Sequence, residues 1–178
     1  MKILFLIFFF TSHVFASAPD ISKKFGIGGG LGRDLPVGGN KFDDRARGEC
    51  VSGIYGRYQL TQSSGLIFGY TRYEWSRSPT AARVYDVVYM YRVASKHWVS
   101  PIFGAGIGAV DIAHYNVDEN LKLGLKARSG VEFILNKNML IDAAFDYQFV
   151  NRMIGEQDNL TIGEMHILAA EFMVSYLF

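Results

Sequence analysis

The chain has 178 residues, 18 Lys+Arg against 17 Asp+Glu, one cysteine and 15% aromatic residues. That length fits one domain, and near-neutrality excludes the basic surplus of a nucleic-acid binder. Past the first residues no apolar run approaches the roughly 18 positions of a spanning helix, which excludes a helical membrane protein.

Lys2 precedes an unbroken apolar run from Ile3 to Phe10, then Thr11-Ser12-His13 and the small residues Ala16, Ser17 and Ala18. A basic start, a short apolar run and an A-x-A-like end predict a secretory signal peptide. Cleavage after Ala16 is preferred, with a cut after Ala18 as the alternative, which would leave Pro19 first. The division is therefore a leader over 1–16 and one domain over 17–178. Cys50, the only cysteine, allows no intramolecular disulfide and reads as a buried or lipid-facing thiol.

In the domain, apolar and polar side chains alternate with period two, as strands require and helices do not. Residues 24–33 put Phe25, Ile27, Gly29 and Leu31 on one face; residues 34–48, with Pro36 and Gly38-Gly39-Asn40, predict a long loop. Residues 49–60 set Cys50, Ile54, Tyr58 and Leu60 against Glu49, Tyr55, Arg57 and Gln59, before a short turn at 61–64. The third strand, 66–75, sets Arg72 and Glu74 against Thr71, Tyr73 and Trp75, and a loop follows at 76–82. Residues 83–93 oppose Tyr85, Val87, Tyr89, Tyr91 and Val93 to Asp86, Met90 and Arg92. A turn at 94–98 leads to the fifth strand, 99–112, rich in small residues, and then to a polar loop at 114–120.

The clearest alternation comes next. Leu121, Leu123, Leu125, Ala127, Val131, Phe133 and Leu135 share a face opposite Lys122, Lys126, Arg128 and Glu132. After the turn Asn136-Lys137-Asn138, Ile141, Ala143, Phe145, Tyr147 and Phe149 oppose Asp142, Ala144, Asp146 and Gln148. A loop at 151–162 precedes the eighth strand, 164–178. There His166, Leu168, Ala170, Phe172, Val174, Tyr176 and Phe178 face away from Met165, Ile167, Ala169, Glu171, Met173 and Ser175.

Eight strands with short turns alternating with longer loops predict an all-β fold, an eight-stranded antiparallel up-and-down transmembrane β-barrel. Only closure satisfies every backbone polar group in lipid. A soluble lipocalin-like barrel, apolar inside and charged outside, uses the same alternation and stands as the competing fold. Aromatic-rich apolar faces, the terminal Phe178 and the lack of disulfides count against it.

Gly104-Ala105-Gly106-Ile107-Gly108, the hairpin from Gly130-Val131-Glu132-Phe133 through Asn138 to Asp146-Tyr147, and the ending Val174-Ser175-Tyr176-Leu177-Phe178 carry a resemblance. With them the chain resembles the small OmpA/OmpX-like outer-membrane β-barrel family. The resemblance implies residence in the outer membrane of a Gram-negative bacterium and a last strand read by the outer-membrane assembly machinery, with Tyr176 and Phe178 matching that signal. OmpA itself carries a peptidoglycan-binding domain after the barrel; no such segment follows here, and a cell-wall tether is not carried over.

A barrel of eight strands leaves a lumen about wide enough for side chains to fill it. The predicted inward network is Arg57, Arg72, Asp86, Arg92, Lys126, Arg128, Glu132, Asp142, Asp146 and Glu171, of both signs and suited to mutual pairing. The same charges lining an ion path make a narrow channel the alternative. Gly104-x-Gly106-x-x-Ala109 matches a dinucleotide fingerprint by letter but lacks the helix that mechanism needs. Asp111, His114, Asp118 and Glu119 share one predicted loop without metal-ligand spacing. His97, beside Trp98, reads as a turn residue at the membrane interface. His166 reads as an outer-rim residue, and no Ser/His/Asp set supports a lipid-modifying enzyme, the other alternative.

The expected role is structural or surface-interactive: membrane integrity, or adhesion through the outer loops, by a monomer without cofactor, metal or nucleic acid. Expected partners are outer-membrane lipids, the assembly machinery and a surface ligand. Lipopolysaccharide joins them through Arg45, Arg47, Arg77, Arg83 and Arg152, which occupy or flank the outer loops.

Overall fold

A computed structural model describes residues 17–38, 47–76, 81–93, 96–114, 117–150, 153–154, 161–162 and 165–178. The predicted leader over 1–16, and Arg45, Arg77 and Arg152, lie outside them. Among the described residues ten strands occur, in the order β1 (Phe25–Gly38), β2 (Arg47–Gln59), β3 (Ser64–Ser76), β4 (Ala81–Arg92), β5 (Val99–His114), β6 (Val117–Asn136), β7 (Met139–Val150), β8 (Met153–Ile154), β9 (Thr161–Ile162) and β10 (Met165–Leu177). Eight of them, β1 to β7 and β10, form a closed barrel in which β1 pairs with β10. Every pairing in it is antiparallel.

The outer wall is apolar. Leu31, Ile54, Phe68, Ile107, Leu123, Leu125, Phe145 and Phe172 all lie outward and exposed. Water would penalise such a wall by about 25 cal/mol for each Å² of apolar surface, whereas hydrocarbon does not. This arrangement is the inverse of the lipocalin-like alternative. Both described ends of the barrel strands, Phe25 and Leu177, lie with the turns β2–β3, β4–β5 and β6–β7, which marks that end as periplasmic.

Three expectations about connections need correction at the other end. β1 runs on to Gly38 instead of stopping at Arg33, and Asp34, expected to open a loop, is fully buried in the wall. The polar loop predicted over 114–120 is mostly strand: His114 ends β5 and pairs with Val117, where β6 begins. The loop predicted over 151–162 contains the small β8–β9 pair. The ladder of backbone hydrogen bonds extends strands past the membrane with no apolar face, so polar composition did not mark where they stop.

The segment before β1 folds across the periplasmic mouth. Ala18 N–H donates to Lys96 O at 2.9 Å and Lys23 N–H to Gln59 O at 2.7 Å. Gln62 clamps the segment twice: its Oε1 accepts from Ile21 N–H at 2.9 Å and its Nε2 donates to Pro19 O at 3.0 Å. Lys23 takes a left-handed φ of 58° to make the bend. Ile21 is thereby driven inward, fully buried against Ile134, Leu140 and Leu177. Next to it, Ser22 N–H donates to Asp20 Oδ1 at 2.8 Å, holding that carboxyl below its ordinary value.

Candidate functional site

Alternation sends one residue in two into the lumen, and those positions carry charge. Arg57, Asp86, Arg92, Lys126, Arg128, Glu132, Asp142, Asp146 and Glu171 are each at most 4% exposed. In the periplasmic half, Arg57 on β2 reaches Glu132 on β6 at 2.9 Å and Asp142 on β7 at 2.8 Å. β2 and β6 stand four strands apart in a ring of eight, so the Arg57–Glu132 pair spans the lumen's width. Glu132 Oε1 also accepts from Arg92 Nε at 2.6 Å, while Arg92 Nη1 donates to Gln62 O. Beside Arg57, Arg92 and Glu132 lies a void of about 10 Å³, room for about one water.

A second group sits nearer the outer side. Lys126 Nζ lies 2.8 Å from Asp86 and 3.1 Å from Asp146. Arg128 Nη1 lies 2.8 Å from Asp146 and 3.3 Å from Glu171. Tyr55 Oη donates to Glu171 at 2.9 Å and meets Thr71 Oγ1 at 3.3 Å. Glycines make space for these heads: a Cβ on Gly69 would stand 2.4 Å from Asp86 Oδ1. In the letter-match to a dinucleotide fingerprint, a Cβ on Gly106 would collide with Val87 O on β4, so that glycine serves the close approach of β5 to β4.

Apolar layers bound the charges. Val51, Tyr73, Val84, Val110, Val150 and Ile167 cluster toward the outer end, and Ile21 with its neighbours closes the periplasmic end. Sequence reasoning missed Ile21, whose only signal was one aliphatic residue in a short polar stretch. It also missed Asp34, hidden by the loop reading of Pro36.

Arg72 is the one member of the predicted inward set that the structure turns around. On β3 the inward residues are Ile67, Gly69, Thr71 and Tyr73, with Thr71 and Tyr73 fully buried. Arg72 therefore points outward, its side chain 54% exposed and paired with Glu74. The reason is parity: Leu66, Phe68 and Tyr70 need the lipid side, and Arg72 falls on the same side two residues on. Directly opposite on β4 is Arg83, also outward, 3.3 Å from Asp111 on β5.

At the outer rim Tyr147 Oη and His166 Nδ1 share a hydrogen bond of 2.5 Å, and the Phe149 ring lies 5.2 Å from the imidazole. Cys50 is outward and exposed. His97 forms an isolated bridge with Ser17. Among the described residues no three His, Cys, Asp or Glu side chains converge as metal ligands. Tyr176 and Phe178 are outward, 54% and 69% exposed.

No family model matches the sequence, and no curated protein matches it either. Solved structures do. Neisserial surface protein A superposes with a TM-score of 0.67 at 14% identity, covering 88% of this chain and 98% of that one. The N-terminal β-barrel domain of Pseudomonas aeruginosa OprF gives 0.62 at 16% identity, covering 90% and 100%. The outer membrane enzyme PagL gives 0.50 at 12% identity, covering 83% and 97%. Apolar outer wall, closed ring and these likenesses agree: the chain has the fold of the small OmpA/OmpX-like outer-membrane β-barrels.

Proposed function

We propose that this protein is a closed, non-conducting barrel of the outer membrane, with a structural or surface-interaction role and a lumen plugged by its own ion pairs. The observation carrying this reading is the Arg57–Glu132 pair across the lumen, continued by Arg92, Lys126 and Arg128. Charges so paired and desolvated do not exchange for passing ions without a large cost. The Ile21 strap adds an apolar seal below them. Surface contact falls to the β5–β6 hairpin, whose strands continue past Asp111 by roughly 10 Å, at about 3.3 Å per residue. Tyr176 and Phe178 serve as the signal read during assembly, Tyr176 being outward on the last strand and Phe178 exposed just past its end.

The protein acts without catalysis in this reading: His166 is engaged by Tyr147 and packed by Phe149. Unchanged lipid A masses on expression are the expected result. In planar bilayers the folded protein gives no stepwise current, and steady conductance by the unmodified chain would overturn closure. Ile21→Gly combined with Arg57→Ala opens a leak that prefers cations, because six buried carboxylates face four buried basic groups among the described residues.

A further inference from the structure

The outward arginines of β3 and β4 are poorly explained by the barrel's own stability. Arg72 and Arg83 stand directly opposite in the ladder, a like-charge pairing that destabilises a sheet. Immediately below them in the same two strands lie Tyr70 and Tyr85, also paired, with ring centroids 5.1 Å apart. Tyrosines at that height mark the edge of the hydrocarbon. Two residues further along a strand, roughly 7 Å, lies the level of the lipid headgroups.

We propose that Arg72 and Arg83 together bind a phosphate ester of an outer-leaflet glycolipid; this rests on the outer-membrane reading but not on closure of the lumen. Each guanidinium carries five donors, of which one carboxylate contact engages at most two. Arg72 contacts Glu74 and Arg83 contacts Asp111, which leaves donors for an anion held between the two heads. Phosphate suits the fork geometry of guanidinium, and its charge relieves the repulsion between the arginines. Glu74 and Asp111 compete with that anion for the same donors, so the site tightens when they are neutralised.

The experiment is a titration of the purified full barrel in detergent with bisphosphorylated lipid A, and with the same lipid dephosphorylated. Heat-modifiable mobility on a denaturing gel first verifies that each variant is folded. The unmodified chain favours the phosphorylated lipid by about tenfold. R72Q/R83Q loses that preference, and E74Q/D111N strengthens it. Equal binding of the two lipids, or an unchanged preference in folded R72Q/R83Q, would overturn the site. Inorganic phosphate as effective as the lipid would overturn its assignment to a lipid. Conductance of the unmodified chain bears on closure alone, so the two readings fail separately.

Discussion

The lumen and the outer rim are built from the same chemistry, arginine beside carboxylate, and differ in what surrounds it. Glu132 inside is 1% exposed and holds two arginines; Glu74 at the rim is 52% exposed and holds one. Inside, removing one partner leaves a charge cut off from bulk water, with only its remaining buried neighbours to meet it. At the rim solvent and headgroups replace whatever is lost. An ion pair therefore means rigidity in one place and availability in the other.

The sharpest break of this contrast is Glu132→Gln, which leaves Arg57 and Arg92 without their shared carboxylate. Unfolding in urea from lipid vesicles is expected to lose about 3–5 kcal/mol of stability. Glu74→Gln measured in the same way changes stability by less than about 1 kcal/mol. Comparable losses in the two variants would abolish the distinction. The smallest effect belongs to Asp20, fully exposed on the periplasmic strap and held chiefly by the Ser22 backbone. Its native carboxyl titrates below the unfolded one, so its contribution is complete above about pH 3.9 and fades as pH falls through the native value. Asp20→Asn should differ slightly from the parent at neutral pH and converge with it in acid, read from denaturation across pH.

Eight transmembrane segments were legible because lipid demands an apolar residue at every second position. Leu121 to Leu135 shows this without any knowledge of neighbours, with Ser129 the one polar residue on the outward face. Partners inside the lumen were not legible. Arg57 and Glu132 are 75 positions apart in sequence, and only the register of all intervening strands brings them together. Arg72 was misread because charge was taken to mean inside. That inference holds only within the hydrocarbon; beyond Tyr70 the outward face meets polar headgroups, and an arginine belongs there equally well. Where β1 and β5 end was hidden for a related reason. Outside the membrane a strand is held by backbone hydrogen bonds, which leave no trace in side-chain hydrophobicity.

The seam between β1 and β10 joins Gly26 to Leu177, nearly the whole domain apart. An unfinished polypeptide can pair its first strand with β2 on one edge only, and the edge meant for β10 stays open until the final residues exist. Closure is therefore the last pairing this topology allows, because the strand that seals the ring is also the last one in the chain.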